Sequence, residues 1–218
     1  MKTLPRHILL SILLIAVVGL AIISLNAGKV WVPWSAWFSL NDDPRWLIIL
    51  ELRLPRTILG VAIGIALGMS GAALQGYTRN PLADPGVLGV SAMAAMGAVL
   101  TMFFGIAISA PWVLATGAMI GAIGGVALLM VLAGATSSVV TFILAGAILN
   151  TMASAGVALA LSFSPNPWAL NEIVNWLMGA LADRSTDDVR MAVPFIMIGC
   201  ALLLTTTRAL DEIGRAHV

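Results

Sequence analysis

The side chains in this sequence that could do chemistry are few, and they lie outside its long apolar stretches. The chain has two histidines, His7 and His217, and one cysteine, Cys200. No apolar stretch long enough to cross a membrane contains an acidic or basic residue. Intramembrane hydrolysis needs an activated nucleophile or an acid–base pair, and metal binding needs clustered ligands. The sequence therefore argues against an enzyme and against a bound metal or other cofactor on this chain.

Two arginines on either side of a proline have the chemistry to recognise carboxylates. Arg53 and Arg56 flank Leu54 and Pro55 directly before an uncharged stretch. Arginine matches a carboxylate with two parallel donors. Pro55 fixes its own φ and disfavours helical geometry at Leu54, so we expect the two guanidinium groups to be held in place. The alternative is that both arginines anchor a helix end by extending to lipid headgroups.

A second group of polar residues lies between two apolar stretches. Pro81 disfavours helical geometry at Asn80, and Asp84 can cap a helix that has Pro85 at its first position, followed by Gly86. We therefore expect one span to end, a bend to follow and another span to begin. Asn80 and Asp84 are either turn and cap residues or contacts for a translocated substrate.

Asn150 is the most polar side chain inside a later apolar stretch. It shares a helix face with Gly146, Ser154 and Ala158, which recur at four-residue spacing. Asn150 and Ser154 either line a transport path or serve helix packing, where an interhelical hydrogen bond of Asn150 is worth about 0.6 to 2 kcal/mol.

The elements that position these residues are membrane-spanning helices. Hydrophobic residues make up 60% of the chain, charged residues 10%, and the mean hydropathy is +1.03. A soluble domain has about a quarter of charged residues, so this is an integral membrane protein, and the net charge of +1 gives no sign of a nucleic-acid partner. Six spans are predicted, at residues 8–25, 57–77, 85–108, 112–133, 139–163 and 191–207. The fold class is an all-α polytopic membrane protein.

The second predicted span carries a stripe of small residues. Its 21 uncharged residues match the roughly 30 Å of hydrocarbon that a helix must cross. Every fourth position along it is small, which predicts a face where a neighbouring backbone approaches closely. The stripe consists of Gly60, Gly64, Gly68, Ala72 and Gly76.

The distribution of charged residues does not show which ends of the predicted spans face the cytoplasm. With the N-terminus inside, the flank of the first span fits the positive-inside rule, but more arginine and lysine residues lie outside than inside. All seven tryptophans fall in or beside connections on one side of the membrane, where an aromatic belt belongs. The tryptophans support the predicted number of spans, but they do not show whether their side of the membrane is the inside or the outside.

Several motifs resemble the FecCD family, the permeases of ABC importers for iron-siderophores, haem and vitamin B12. They are R-L-P-R-T at 53–57, S-G-A-A-L-Q-G at 70–76, R-N-P-L-A-D-P-G-V-L-G-V-S at 79–91, I-L-A-G-A-I-L-N at 143–150 and W-L-M-G-A-L at 176–181. The resemblance covers nearly the whole chain in order, and N-P-L-A-D-P-G is its most specific part.

The resemblance implies an assembly. It implies a cytoplasmic N-terminus, a second identical or sister permease, two ATPase subunits that bind the ATP, surrounding membrane lipid and a substrate-binding protein outside. It implies that Arg53 and Arg56 receive acidic residues of the binding protein. It also implies a large chelate, such as a ferric siderophore, as the substrate. A secondary transporter and a non-transporting structural subunit are the alternatives, although a secondary transporter usually has an acidic residue within the membrane.

The C-terminal end departs from the resembled family. Family permeases have ten helices, and the connection that carries their coupling helices begins near residues 208–211 of this sequence. The last six residues, I-G-R-A-H-V at 213–218, match what a common sequencing adapter encodes. We therefore expect a permease domain over 1–212, an artefact over 213–218, and insertion of the chain as written without ATP-driven uptake. The alternative is a natural short C-terminus.

Overall fold

The computed structural model describes residues 5–28, 31–37, 45–134, 138–182 and 184–207, and all regular structure within them is helical. Five of the described helices are long and apolar enough to cross a membrane, and the helix Val90–Phe103 is a shorter apolar one. The prediction of an all-α polytopic protein is confirmed. The helices are α1 (Arg6–Asn26), α2 (Arg45–Thr78), α3 (Val90–Phe103), α4 (Pro111–Ala133), α5 (Val139–Ser162), α6 (Pro167–Met178) and α7 (Thr186–Thr205).

The third predicted span is shorter than expected. Its α-helical part, α3, has 14 residues and is about 21 Å long, less than the hydrocarbon thickness. Short 3₁₀ turns flank it at Pro85–Leu88 and Ile106–Ser109. Gly89 and Gly105 separate the turns from the helix because both adopt left-handed φ values, 75° and 69°, which end regular helix on either side.

Two of the connections between the predicted spans contain helix. α2 begins at Arg45, well before the apolar stretch, and α6 lies within the connection that follows α5. Asn166 caps α6 by accepting a hydrogen bond from the amide of Ala169 at 2.9 Å, with Pro167 at the first helical position. The C-terminal segment 208–218 lies outside the described residues, so the expectation for 213–218 stays a prediction.

Pro55 lies inside a helix, which corrects the expectation of an extended Leu54. Leu54 is α-helical, with φ −62° and ψ −50°, and its amide donates to the carbonyl of Ile49. The segment Ile48–Arg53 is a π-helix, in which each turn is wider by one residue. The wider turn accommodates the proline, whose ring would otherwise meet the carbonyl four residues earlier.

The chain divides into two compact units, Met1–Gly68 with Leu181–Leu204 and Met69–Ala180 with Thr205–Val218. In the first unit, a small core forms where the connection after α1 meets the start of α2. Val32 and Ile49 are buried there, and Leu25, Trp37 and Trp46 pack against them. The rings of Trp37 and Trp46 meet edge to face, with centroids 6.1 Å apart.

The second unit is built around the hairpin of α3 and α4, with α5 packed on both. A Cβ placed on Gly97 would contact the carbonyl of Gly117, and one on Gly121 would contact the carbonyl of Met93. Backbones approach this closely only because glycine has no side chain, which is how helices pack in lipid. Two buried apolar clusters extend from the hairpin, one centred on Met93 and one that includes Ile173 of α6.

Within the described residues, the small-residue stripe of α2 has few neighbours, so its role as a packing face stays a prediction. A Cβ on Gly60 would contact only Leu181, at 3.7 Å, and no described atom lies within 4 Å of one on Gly64 or Gly68. Ala72 and Gly76 are exposed. Close backbone packing occurs instead on α4, where Gly117, Gly121 and Gly125 repeat at the same four-residue spacing.

Candidate functional site

Arg53 is buried, with 6% of its surface exposed, at the end of α2 that meets α1. Its Nη1 donates hydrogen bonds to the carbonyls of Leu25, at 3.1 Å, and Asn26, at 2.6 Å. These carbonyls belong to the last turn of α1, where the helix has no further amides to pair with them. A cation at this position also complements the negative end of the helix dipole. Arg53 therefore caps α1.

The residues around Arg53 join the same two helices. Asn26 is fully buried, donates from Nδ2 to the carbonyl of Ile22 at 3.0 Å and accepts at Oδ1 from the Trp37 indole at 2.9 Å. The hydroxyls of Ser24 and Thr57 lie 3.0 Å apart. We call this group the α1-end cluster; it consists of Ser24, Asn26, Trp37, Arg53, Arg56 and Thr57.

Arg56 differs from Arg53 in its surroundings. It is only partly buried, and its Nη2 reaches the carbonyl of Ser24 at 3.4 Å, the longest contact in the cluster. The two arginines therefore do not present an equivalent pair of guanidinium groups. Arg53 is directed onto α1, whereas Arg56 stands at the edge of the cluster.

The polar group after α2 forms one compact turn, which we call the signature turn (residues 79–89). The Asn80 side chain accepts from the amide of Leu82 at 2.9 Å, and Pro81 lies between them, exposed. The Asp84 carboxylate accepts from the amide of Gly86 at 2.6 Å and caps the 3₁₀ turn that Pro85 begins. Asn80 and Asp84 therefore hold turn and cap positions, and their contact with a translocated substrate stays a prediction.

The signature turn packs directly on α5. A Cβ on Gly89 would lie 2.6 Å from the amide nitrogen of Asn150 and 2.9 Å from the carbonyl oxygen of Gly146. A Cβ on Gly146 would lie 2.8 Å from the Cα of Leu88. Asn150 is therefore half-buried beneath the turn, while Ser154, one turn further along α5, is exposed. The structure brings together two motifs that the sequence separates by some sixty residues.

Sequence reasoning missed the glycine contacts between the turn and α5. Gly89 ends the V-L-G part of the signature and Gly146 precedes Asn150 by four residues, so both lie in motifs that were singled out. The sequence did not reveal that the signature turn contacts α5, because a single sequence does not show which elements of the fold lie against each other. The described residues contain no group of three or more metal-ligating side chains. Their polar chemistry consists of capping and packing.

The chain is a multi-pass helical membrane protein by its architecture, and comparison with known proteins assigns its family. The FecCD transport family matches residues 12–214, nearly the whole chain. This chain belongs to the FecCD transport family. As expected for that family, it is a multi-pass protein of the bacterial inner membrane.

Three curated relatives show the same relationship. The chain is 34% identical to the hemin transport system permease protein HmuU of Yersinia pestis, over 95% of this chain and 63% of HmuU. It is 35% identical to the Fe(3+) dicitrate transport system permease protein FecD of Escherichia coli, over 90% of this chain and 61% of FecD. It is 34% identical to the uncharacterized ABC transporter permease protein YvrB of Bacillus subtilis, over 87% of this chain and 58% of YvrB.

A solved structure shares the fold. It is an ABC transporter provisionally assigned to the metal-chelate type and captured in an inward-facing conformation. It superposes with a TM-score of 0.83 at 30% identity, over 97% of this chain and 65% of that chain. The chain thus spans about three fifths of the length of the proteins that it matches.

Proposed function

We propose that this chain forms the membrane-spanning part of an ABC importer that translocates a metal chelate of the iron-siderophore type. The observation that carries the proposal is the family match over residues 12–214, together with relatives named for hemin and Fe(3+) dicitrate transport. Vitamin B12 import permeases are also among the relatives, at 32% to 36% identity. All three substrates are large, preformed metal complexes.

The side chains of the described residues support passage of an intact complex. They contain no cluster of carboxylate, imidazole or thiolate groups that would compete for the metal. A chelate whose metal is already coordinated needs a pathway of suitable shape and polarity. We expect the pathway to follow the face of α5 that carries Ser154, with Asn150 held beneath the signature turn.

The proposed assembly includes parts that this chain lacks. ATP would be bound and hydrolysed on two separate ATPase subunits, a second permease copy or sister permease would complete the membrane part, and a binding protein would deliver the chelate. Under this proposal Arg56 is the better candidate of the two motif arginines for contact with the binding protein, because its guanidinium is only partly buried.

The docking role of Arg56 can be tested by reversing its charge. Truncating one partner of a desolvated interfacial ion pair costs about 2 to 5 kcal/mol, whereas an exposed pair is worth about 0 to 1 kcal/mol. Arg56→Glu should therefore weaken binding of the binding protein to membranes that contain the permease by more than about tenfold. The probe is the substrate-binding protein that delivers the same chelate, to be identified from the genes around this one, and its dissociation constant is the quantity measured.

Arg190→Glu provides the matched control. Arg190 lies in the second turn of α7, is highly exposed and pairs with Asp187 at 3.2 Å. We expect it to face the same side of the membrane as Arg56, so the two variants change the local charge equally. If both variants dock with the affinity of the parent at low salt, the arginine is an interfacial anchor and the docking proposal is wrong.

A further inference from the structure

An exposed aromatic side chain lies in the first unit, in the connection between α1 and α2. Trp34 begins the short 3₁₀ turn Trp34–Trp37, and 52% of its surface is exposed. It comes eight residues after Asn26, the last residue of α1, so it belongs to the connection and not to a span. An exposed tryptophan beside a span is either an anchor in the lipid interface or a contact for another protein.

The Trp34 ring is held in place by a ladder of indole rings. It stacks on the ring of Trp37, with centroids 6.1 Å apart and an angle of 29° between the planes. Trp37 meets Trp46 edge to face, and its Nε1 donates a hydrogen bond to the fully buried Asn26 side chain at 2.9 Å. Because Trp37 is fixed on two sides, Trp34 has a firm support for one side of its ring.

The ladder and the arginine motif are attached to the same end of α1. Asn26 accepts from Trp37 through its side chain and from Arg53 through its carbonyl, and Arg56 reaches the carbonyl of Ser24 two residues earlier. Within the described residues Arg56 makes no ion pair, so its positive charge is available to an acidic partner. One buried network therefore supports an exposed indole and a partly exposed cation.

We propose that Trp34 is a contact residue for the substrate-binding protein and supplies the apolar part of a docking surface whose charged part is the arginine motif. This inference rests on the proposed function. Tryptophan and arginine are the residue types that most often carry the binding energy of protein interfaces. A tryptophan already held by stacking also loses little conformational freedom when it binds. The partner surface should be a flat apolar patch beside the acidic residues that meet the arginines.

Removing the indole tests the contact. Trp34→Ala should weaken docking of the binding protein by more than about tenfold, because an apolar contact of this size is lost from the interface. The measurement is the dissociation constant of that protein on membranes from cells that express the full gene. Trp112→Ala is the matched control: Trp112 begins the regular turns of α4 on the expected outer side and is 60% exposed. An equal loss in both variants would overturn the inference.

Salt separates the apolar contact from the charged one. Added salt screens an ion pair but not an apolar contact, so the loss caused by Trp34→Ala should be the same at low and high salt, whereas the loss caused by Arg56→Glu should shrink. If Arg56→Glu weakens docking and Trp34→Ala leaves it unchanged, the inference is wrong and the proposed function stands. If the unmodified permease does not bind the protein at all, both fail.

Footprinting on the unmodified permease gives an answer even if Trp34→Ala folds poorly. Hydroxyl radicals oxidise accessible tryptophans, and mass spectrometry reports the oxidation at each position. Binding-protein addition should slow oxidation of Trp34 by about threefold or more, because residues at the centre of an interface lose their contact with water. Trp112 should oxidise at an unchanged rate. Equal oxidation of Trp34 with and without the bound protein would show that its ring meets lipid or water only, and would overturn the inference.

Discussion

At the scale of single residues, the same side-chain type has two different surroundings in one short motif. Arg53 and Arg56 are separated by two residues, yet one is buried against carbonyls and the other is partly accessible. The R-L-P-R motif indicates that arginines matter at this point of the chain. It does not distinguish them, because their burial depends on where α1 ends, and that is a property of the folded first unit.

Pro55 shows how local rules are overridden at the same place. A proline disfavours helical geometry at the preceding residue, and the sequence alone therefore predicts a break at Leu54. The chain instead stays helical through the π segment Ile48–Arg53. Because this segment precedes the proline, the helix reaches back to Arg45 and carries Arg53 to the end of α1.

The first residue-scale prediction concerns Gly89. Gly89→Ala should destabilise the protein, because alanine is strained at φ 75° and its Cβ would lie 2.6 Å from the backbone of Asn150. Left-handed geometry alone costs roughly 1 to 2 kcal/mol, and overpacking adds about 1 to 3 kcal/mol. The measurement is the thermal midpoint of the purified protein in detergent.

Gly105→Ala is the control for Gly89→Ala. Gly105 has nearly the same conformation, φ 69° and ψ 11°, but it is exposed. Gly105→Ala should carry the backbone strain of a left-handed alanine without the close contact to a neighbouring helix. Its thermal midpoint should therefore fall less than that of Gly89→Ala. Equal losses would mean that the contact between the signature turn and α5 adds nothing to stability.

At the scale of helices, the apolar stretches predict most of the fold because a long uncharged segment has few alternatives to a spanning helix. The short helix α6 was not predicted, since its 12 residues mix polar and apolar side chains. Its signals were the Asn166 cap followed by Pro167. The rest of its stability comes from tertiary packing, in which Ile173 is fully buried.

Glycine spacing indicates two helices that could pack closely, and the described residues show such packing for one of them. The sequence contains two series at four-residue spacing, one on α2 and one on α4, and only the α4 series contacts a neighbouring backbone in the described chain. Spacing shows that a helix could pack closely. Which helix does so depends on the partner that lies opposite, here α3.

This difference gives a prediction for α4. Gly121→Leu should lower the folded yield sharply, because any side chain at position 121 meets the carbonyl of Met93 on α3. Lipid provides no hydrophobic gain to offset separated helices. Gly124→Leu is the matched control on the same helix, since no described atom lies within 4 Å of a Cβ there. The measurement is the monodisperse yield in detergent, and similar yields for the two variants would contradict the packing described for the hairpin.

At the scale of the whole molecule, two exposed positions of the second unit are expected on opposite sides of the membrane. Leu82 projects from the signature turn with 87% of its surface exposed, and Trp168 lies beyond the far end of α5 with 85% exposed. The family resemblance places the signature turn in the cytoplasm and α6 outside. Single cysteines at these positions therefore report the orientation that charge does not reveal.

The expected labelling follows directly. In a Cys200→Ala background, a membrane-impermeant maleimide added to cells with a permeabilised outer membrane should label Trp168→Cys and leave Leu82→Cys unlabelled. Lysis should make Leu82→Cys reactive, which controls for its accessibility. Labelling of Leu82→Cys in intact cells would reverse the orientation and with it the side on which Arg56 meets a partner.

The most direct test of the central claim, that this chain belongs to an ATP-driven chelate importer, is the energy source of uptake. Cells that carry the full gene with its neighbouring genes are given labelled ferric siderophore, haem or cobalamin, and initial uptake rates are compared with those of a strain without the gene. The account predicts gene-dependent uptake of one such chelate that stops when ATP is depleted and continues when the proton gradient is collapsed. Uptake that follows the proton gradient and is unaffected by ATP depletion would contradict the account and indicate a secondary transporter.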